Sequence, residues 1–315
     1  MLCAADASRV AVAFDLGVPR SMTGPAARGV IGQVWRLETE RGSWAVKEWF
    51  ETPDMDELDE GVAFQAAAMA AGVPAPAVIR TSDGGWAIEL AGAPVRVQRW
   101  VDLGDRDPSL DPDSVGRLVG ALHQVPFEGT QPLHEWYTEP IGAARWDALI
   151  AASRVAGAPF AERFAARRHE LVALDAIVRP PGAVRTCHRD LWSDNLRASL
   201  DGGLCLIDWE NCGLADASME LAVVVWEFGR TDPARARALY AAYLDTGGPG
   251  RVHGESDFSM LIAQLGHIGA RACSDWLSAE SEDDRTFAAS WFGEFVDDPH
   301  TADQLTMLLD AVASQ

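Results

Sequence analysis

What the chain lacks narrows it first. Its five cysteines, Cys3, Cys187, Cys205, Cys212 and Cys273, are odd in number, scattered and without a CxxC pair, which excludes a disulfide framework or a zinc site and leaves reduced thiols. No apolar run approaches the roughly 20 residues that a membrane helix needs. The first residues also lack the basic-then-apolar pattern of a secretory leader, so the expected location is the cytoplasm. There is no internal repeat, low-complexity segment or long disordered linker. Basic residues are scarce: 26 Lys and Arg against 47 Asp and Glu give a net charge of −21, which repels nucleic acid and anionic membranes and would welcome a cationic ligand.

What remains is a chain of 315 residues, 48% hydrophobic and 23% charged, long enough for one large domain or two lobes with a sizeable core. Its chemistry concentrates in His188-Arg189-Asp190-Leu191-Trp192-Ser193-Asp194-Asn195 and in Leu206-Ile207-Asp208-Trp209-Glu210. A carboxylate, a side-chain amide five residues on and a second carboxylate further along are the parts of a phosphoryl-transfer loop. There one Asp orients and deprotonates an attacking hydroxyl, while the Asn and the later Asp hold Mg²⁺ on nucleotide phosphates. Hard oxygen ligands of this kind suit Mg²⁺. Val184 to Cys187 and Gly203 to Ile207 read as short strands, and Asp201-Gly202-Gly203 between them as turn chemistry, so a hairpin is expected to carry both carboxylates to one end.

Upstream, residues 1–20 read as a weakly apolar opening with a short helix, and Thr23 to Gln33 as a glycine-rich turn, with Gly29 and Gly32 letting backbone amides approach phosphate. Ser43 to Phe50 reads as a strand delivering Lys47 beneath that turn. A helix follows over 54–72, capped by Asp54 and stopped by Gly72 and Pro74, and an acid on its inner face, Glu60 or else Glu57, is expected to pair with Lys47. Trp86 to Leu90 and Val95 to Val101 bring the set to about five strands, and backbone around Gln98 and Trp100 is placed to meet an adenine edge. The polar stretch Asp102 to Pro108 marks a boundary, giving a nucleotide-binding lobe over 1–101 and a catalytic and substrate-binding lobe over 102–315. Beyond it the pattern turns helical: Asp113 and Ser114 cap Val115 to Gln124, Phe160 to Val178 is amphipathic, and the chain from 217 onward is mostly helix.

In Ala45-Val46-Lys47, Gly72-Val73-Pro74-Ala75-Pro76, Leu122-His123, HRDLWSDNL and LIDWE, the chain resembles the aminoglycoside phosphotransferase-like branch of the protein-kinase-like fold. Antibiotic kinases and choline-, homoserine- and fructosamine-kinase relatives share that branch. The resemblance implies an α+β, bilobal, protein-kinase-like fold: a small antiparallel-sheet N-lobe with one helix, and a larger, mostly helical C-lobe. It implies ATP or GTP as donor with Mg²⁺, Asp190 as catalytic base, Asn195 and Asp208 as metal ligands and Lys47 on the phosphates. Two positions depart from the pattern: Arg189 stands where many relatives carry glycine, and Glu220 where an aspartate commonly anchors the loop.

The acceptor expected from the resemblance and the charge is a hydroxyl of a cationic small molecule such as an aminoglycoside, amino sugar or basic antibiotic, met by Asp194, Trp209, Glu210, Asp275 and Trp276. A housekeeping metabolite kinase and a nucleotide-binding pseudokinase are the alternatives. Intact Lys47, Asp190, Asn195 and Asp208 speak against the pseudokinase. A monomer is the default.

Overall fold

Alternation of apolar and polar residues lays down an antiparallel sheet in the first half of the chain. The computed structural model describes residues 2–29, 31–50 and 52–313, and Val30 of the glycine-rich turn lies outside them. Two compact units result, one of Met1–Arg106 with Asn195–Cys212 and the other of Asp107–Asp194 with Gly213–Gln315. The segment carrying Asn195 and Asp208, read from the sequence as part of 102–315, therefore folds with the first unit.

In the first unit, β1 (Pro19–Arg28), β2 (Gly32–Thr39), β3 (Gly42–Trp49), β4 (Val78–Ile79), β5 (Ala87–Leu90) and β6 (Ala93–Arg99) form one sheet in the order β1-β2-β3-β6-β4, with β5 also on β6. Every pairing is antiparallel. Half of the expected glycine-rich turn is thus strand β1. Gly32 is required where β2 meets β3, because a Cβ there would fall 2.5 Å from the Glu48 carbonyl oxygen.

The period-two rule sends Leu37, Trp44, Val46, Val95 and Val97 to one face, where Val10 and Ala11 of α1 (Ala7–Ala13) and Phe14 just after it cover them. The other face takes Trp49 against Leu58 and Val62 of α2 (Met55–Ala70). Asp54 caps α2 by accepting from the amides of Asp56 and Glu57. The hairpin of β7 is not the one expected. Val184–Cys187 (β7) pairs with Gly213–Asp216 (β10), and the Asp201-Gly202-Gly203 turn instead joins Leu196–Ala198 (β8) to Leu204–Leu206 (β9).

Apart from the β7–β10 pair, the second unit is mostly helical, with α3 (Pro112–Leu122), α4 (Glu135–Thr138), α5 (Ala143–Val155), α6 (Ala161–Asp175), α7 (Ala217–Gly229), α8 (Pro233–Asp245), α9 (Ser259–Ser278), α10 (Glu282–Asp297) and α11 (Ala302–Val312). The cap of α3 is Asp111, which accepts from Ser114 N–H with Pro112 in the first turn, rather than Asp113. Helix α7 is buried at every position except Ser218, so it is the central helix of this unit. Trp146, Phe160, Phe164, Phe292 and Phe295 pack a largely aromatic second core. Among the described residues no helix is long and apolar enough to cross a membrane.

Candidate active site

Lys47 is the sole lysine of the chain. On β3 it faces away from the α1 core, and its Nζ donates to Asp208 Oδ1 at 2.8 Å and to Glu210 Oε1 at 2.7 Å. These two carboxylates hold the ammonium for which the sequence suggested Glu60 or Glu57. A Cβ on Gly61 would lie 2.6 Å from the Trp209 carbonyl oxygen, so α2 rests directly on the turn Trp209–Asn211, and that turn brings Asp208 and Glu210 to Lys47.

Three contacts hold this turn. Leu206 N–H donates to the Pro74 carbonyl at 2.9 Å, Trp209 Nε1 donates to the Leu206 carbonyl at 3.0 Å, and the Trp209 ring meets Phe64 edge-on at 5.6 Å. Burial works to raise the Asp208 carboxyl, but Lys47 beside it more than reverses this and holds it well below the usual carboxylate range. Burial raises Glu210 above its usual value, with Arg96 opposing. Lys47 is driven down by burial and, more strongly, up by its two carboxylates, so it remains an ammonium.

Asn195 precedes β8 and Asp208 follows β9. Ile207 N–H donates to the Asn195 carbonyl at 2.9 Å, so both motif residues stand at the open end of one hairpin. An ionised carboxylate and an amide oxygen in that arrangement are a donor set that fits Mg²⁺. The glycine-rich turn is short: Gly29 N–H donates to the Gly32 carbonyl at 2.9 Å. Gln98 lies on β6, and Trp100 N–H is committed to the Ser43 carbonyl at 3.0 Å.

In the second unit, Asp190 is half-buried and stands three residues beyond the end of β7. Its backbone is held on both sides. Glu220, wholly buried, accepts from Arg189 N–H through Oε1, and its Oε2 lies 2.7 Å from His123 Nε2. His123 Nδ1 in turn lies 2.8 Å from the Tyr243 hydroxyl. Burial tends to raise Glu220, yet the bond and charge of His123, with His188 and the Arg189 amide, together lower it. On the far side, Ser193 donates through N–H and hydroxyl to Glu227, and Gln264 Nε2 donates to the Arg189 carbonyl at 3.1 Å. Arg189 lies over the ring of Tyr137 at 4.7 Å. Glu220 therefore takes the loop-anchoring place despite its extra methylene.

Several expected acceptor residues are interior. Trp209 is fully buried on Phe64, Glu210 is buried between Lys47 and Arg96, and Trp276 packs on Phe160 in the aromatic core. Asp275 is ion-paired with Arg271 at 2.8 Å, while Asp194 is exposed. The reading from sequence missed Arg96 and Glu227. Arg96 had a signal, since it interrupts the strand valines Val95 and Val97 that face the core.

Residues 24–254 match the phosphotransferase enzyme family. A homoserine kinase of Pseudomonas aeruginosa is 32% identical over 187 residues, covering 55% of each sequence, so the match spans about half the length of that relative. A spectinomycin phosphotransferase crystallised with ADP and spectinomycin superposes with a TM-score of 0.72 at 13% identity, over 98% of both chains. An amicoumacin kinase in complex with AMP-PNP and Ca²⁺ gives 0.60 at 16% identity, over 94% of this chain and 93% of that one. The fold is accordingly the protein-kinase-like one, and the chain belongs to the phosphotransferase enzyme family.

Proposed function

We propose that the protein transfers the terminal phosphoryl group of ATP, or of GTP, to a hydroxyl of a small molecule. The observation that carries this reading is the sole lysine held between Asp208 and Glu210, with Asp208 kept ionised at the open end of the hairpin that begins at Asn195. Lys47 is to bind the nucleotide phosphates, and Asn195 and Asp208 to hold Mg²⁺, which when bound neutralises phosphate charge. Asp190 is to orient the acceptor hydroxyl and take its proton, its backbone fixed by the Glu220 and Gln264 bonds to Arg189. Little covalent work falls to the protein, so positioning and charge neutralisation carry the rate.

The acceptor is proposed to be cationic, an aminoglycoside, amino sugar or other basic antibiotic. Support comes from the net charge of −21 and from α4, where Trp136 stacks on His267 at 5.4 Å beside exposed Glu135. Tyr137, the neighbour of Trp136 on α4, lies under Arg189, the residue before Asp190. An aromatic face with a carboxylate suits an ammonium group. A second reading, phosphorylation of an amino alcohol in metabolism, is favoured by the similarity to homoserine kinase.

The test is ADP release with MgATP or MgGTP against aminoglycosides, amino sugars, basic antibiotics, homoserine and choline, each amine also supplied N-acetylated. One acceptor is expected to dominate and to lose activity on acetylation. Asp190→Asn should cut turnover by on the order of 10²–10⁴. Near-normal turnover in that variant would remove Asp190 from its role, and homoserine as the best acceptor would select the second reading.

A further inference from the structure

Strands β3 and β6 place two cations where a sheet tolerates them poorly. Lys47 and Arg96 are direct cross-strand partners, so their side chains leave the sheet on one face, side by side. Arg96 is 2% exposed. Both cations flank the ring of Trp49, the Lys47 ammonium 5.9 Å and the Arg96 guanidinium 5.4 Å from its centre. Like charges so placed repel, and burial makes each expensive unless it is paired.

The pairing is supplied from far along the chain. Glu210 Oε1 accepts from Arg96 Nη2 and from Lys47 Nζ, and Asp208 Oδ1 accepts from Lys47 as well. One carboxylate oxygen therefore bridges the two cations, and the four groups sum to zero charge. Arg96 has no part in any expected chemistry, yet through Glu210 it fixes where the second cation sits. In turn the Glu210 backbone is set by the packing of Trp209 and by the bare Gly61.

We infer that Arg96 and Glu210 are positioning residues for Lys47. The inference rests on the nucleotide-binding reading of Lys47. Its mechanics are those of a strut: the bridge fixes the Glu210 carboxylate, and that carboxylate holds the ammonium beside Asp208 while leaving it free to donate a further bond to phosphate. Without the strut Lys47 keeps Asp208 as its remaining partner and its long stem regains rotamer freedom.

The single lysine makes a direct test possible, because an amine-reactive acetylating ester can modify no other side-chain amine. Lys47 acetylation is followed by peptide mass spectrometry, with ADP affinity measured by calorimetry with and without Mg²⁺. Glu210→Gln strands the buried Arg96, so the decisive variant is Arg96→Met with Glu210→Gln, which removes both charges and should recover most of the unfolding temperature lost by Glu210→Gln alone.

The expected result is slow Lys47 labelling in the wild type, labelling at least about tenfold faster in both Glu210 variants, and ADP binding about tenfold weaker in both, the loss of roughly one charge-assisted contact. In a Lys47→Ala background, Glu210→Gln should weaken ADP no further. Unchanged labelling, or a double variant that recovers full ADP affinity, would overturn the inference. So would a loss confined to Mg²⁺-containing samples and equal in the Lys47→Ala background, which would make Glu210 a metal ligand. Failure of ADP to bind or to protect Lys47 in the wild type would instead sink the nucleotide reading, while the labelling rates would still judge the strut.

Discussion

At the scale of single residues, both motifs contain backbone that a side chain rarely adopts. Arg189 has φ 64° and Asp208 φ 62°, two of the four non-glycine residues in the left-handed region among those described. Such conformations cost on the order of 1–3 kcal/mol and persist only where the surroundings impose them. Here those surroundings are Glu220 and Gln264 on the Arg189 peptide units, and Lys47 on the Asp208 side chain. That Arg189 keeps this backbone without being glycine follows from its side chain, which is buried over Tyr137.

Another buried residue gives a pH prediction. His300 is 2% exposed beside Phe295, and burial, assisted by nearby Arg167, lowers its pKa from 6.5 to about 3. The folded value lies below the unfolded one, so the fold favours neutral imidazole. Its contribution to stability is complete above about pH 6.5 and is lost as pH falls from there toward 3, because only the unfolded chain readily takes up the proton. His300→Phe removes this dependence. Between pH 7 and 5 the wild type should lose stability relative to the variant by at most about 1.4 kcal/mol per pH unit. Thermal unfolding at a series of pH values checks this, and parallel curves for the two proteins would reject it.

At the scale of elements, the contact of α2 with the turn Trp209–Asn211 sets the candidate nucleotide side of the first unit. Gly61→Ala tests it. Alanine favours an exposed helix interior over glycine by about 1 kcal/mol. At this position, however, its methyl would meet the Trp209 carbonyl at 2.6 Å, and overpacking of this kind costs about 1–3 kcal/mol. Net destabilisation is expected, read by denaturant unfolding, together with weaker ADP binding because the shift is transmitted to Asp208 and Glu210. A stabilised variant with unchanged binding would show that the helix is not pinned there.

The same contact shows what a linear reading can reach. The strand carrying Lys47, the Asp54 cap and the Asp201-Gly202-Gly203 turn are local patterns, and all were legible. That Glu210 is a partner of Lys47 was not, because it is one acid among many in the sequence and reaches the lysine across 163 residues. The pairing of β7 with β10 was hidden likewise, since a three-residue strand such as Leu196–Ala198 is too short to show alternation. Trp209 and Trp276 read as exposed partners of carboxylates because an aromatic beside an acid looks the same in sequence whether it faces solvent or core.

At the scale of the whole molecule, the chain leaves its first unit after Arg106 and returns for Asn195–Cys212. That borrowed segment is structural as well as chemical. It supplies the hairpin β8–β9, which accepts from Gly104 N–H at the Ala198 carbonyl (2.8 Å) and donates from Leu200 N–H to the Asp102 carbonyl (2.9 Å). It also brings Trp209 to cover Phe64, and Glu210 to neutralise the adjacent cations Lys47 and Arg96. A fragment of residues 1–106 would keep the sheet and α1 but expose the apolar side of α2 and leave two like charges facing each other across β3 and β6. Removing one side of a buried ionic group typically costs about 3–5 kcal/mol, a large share of the 5–15 kcal/mol that holds a domain together. The fragment is therefore expected to lack cooperative unfolding and to exchange its α2 amides quickly. Joining 195–212 to it through a flexible glycine and serine linker should restore both slow exchange in α2 and a cooperative transition. If the bare fragment unfolds cooperatively with α2 protected, the returning segment contributes chemistry alone and the β3–β6 cations are tolerated without it.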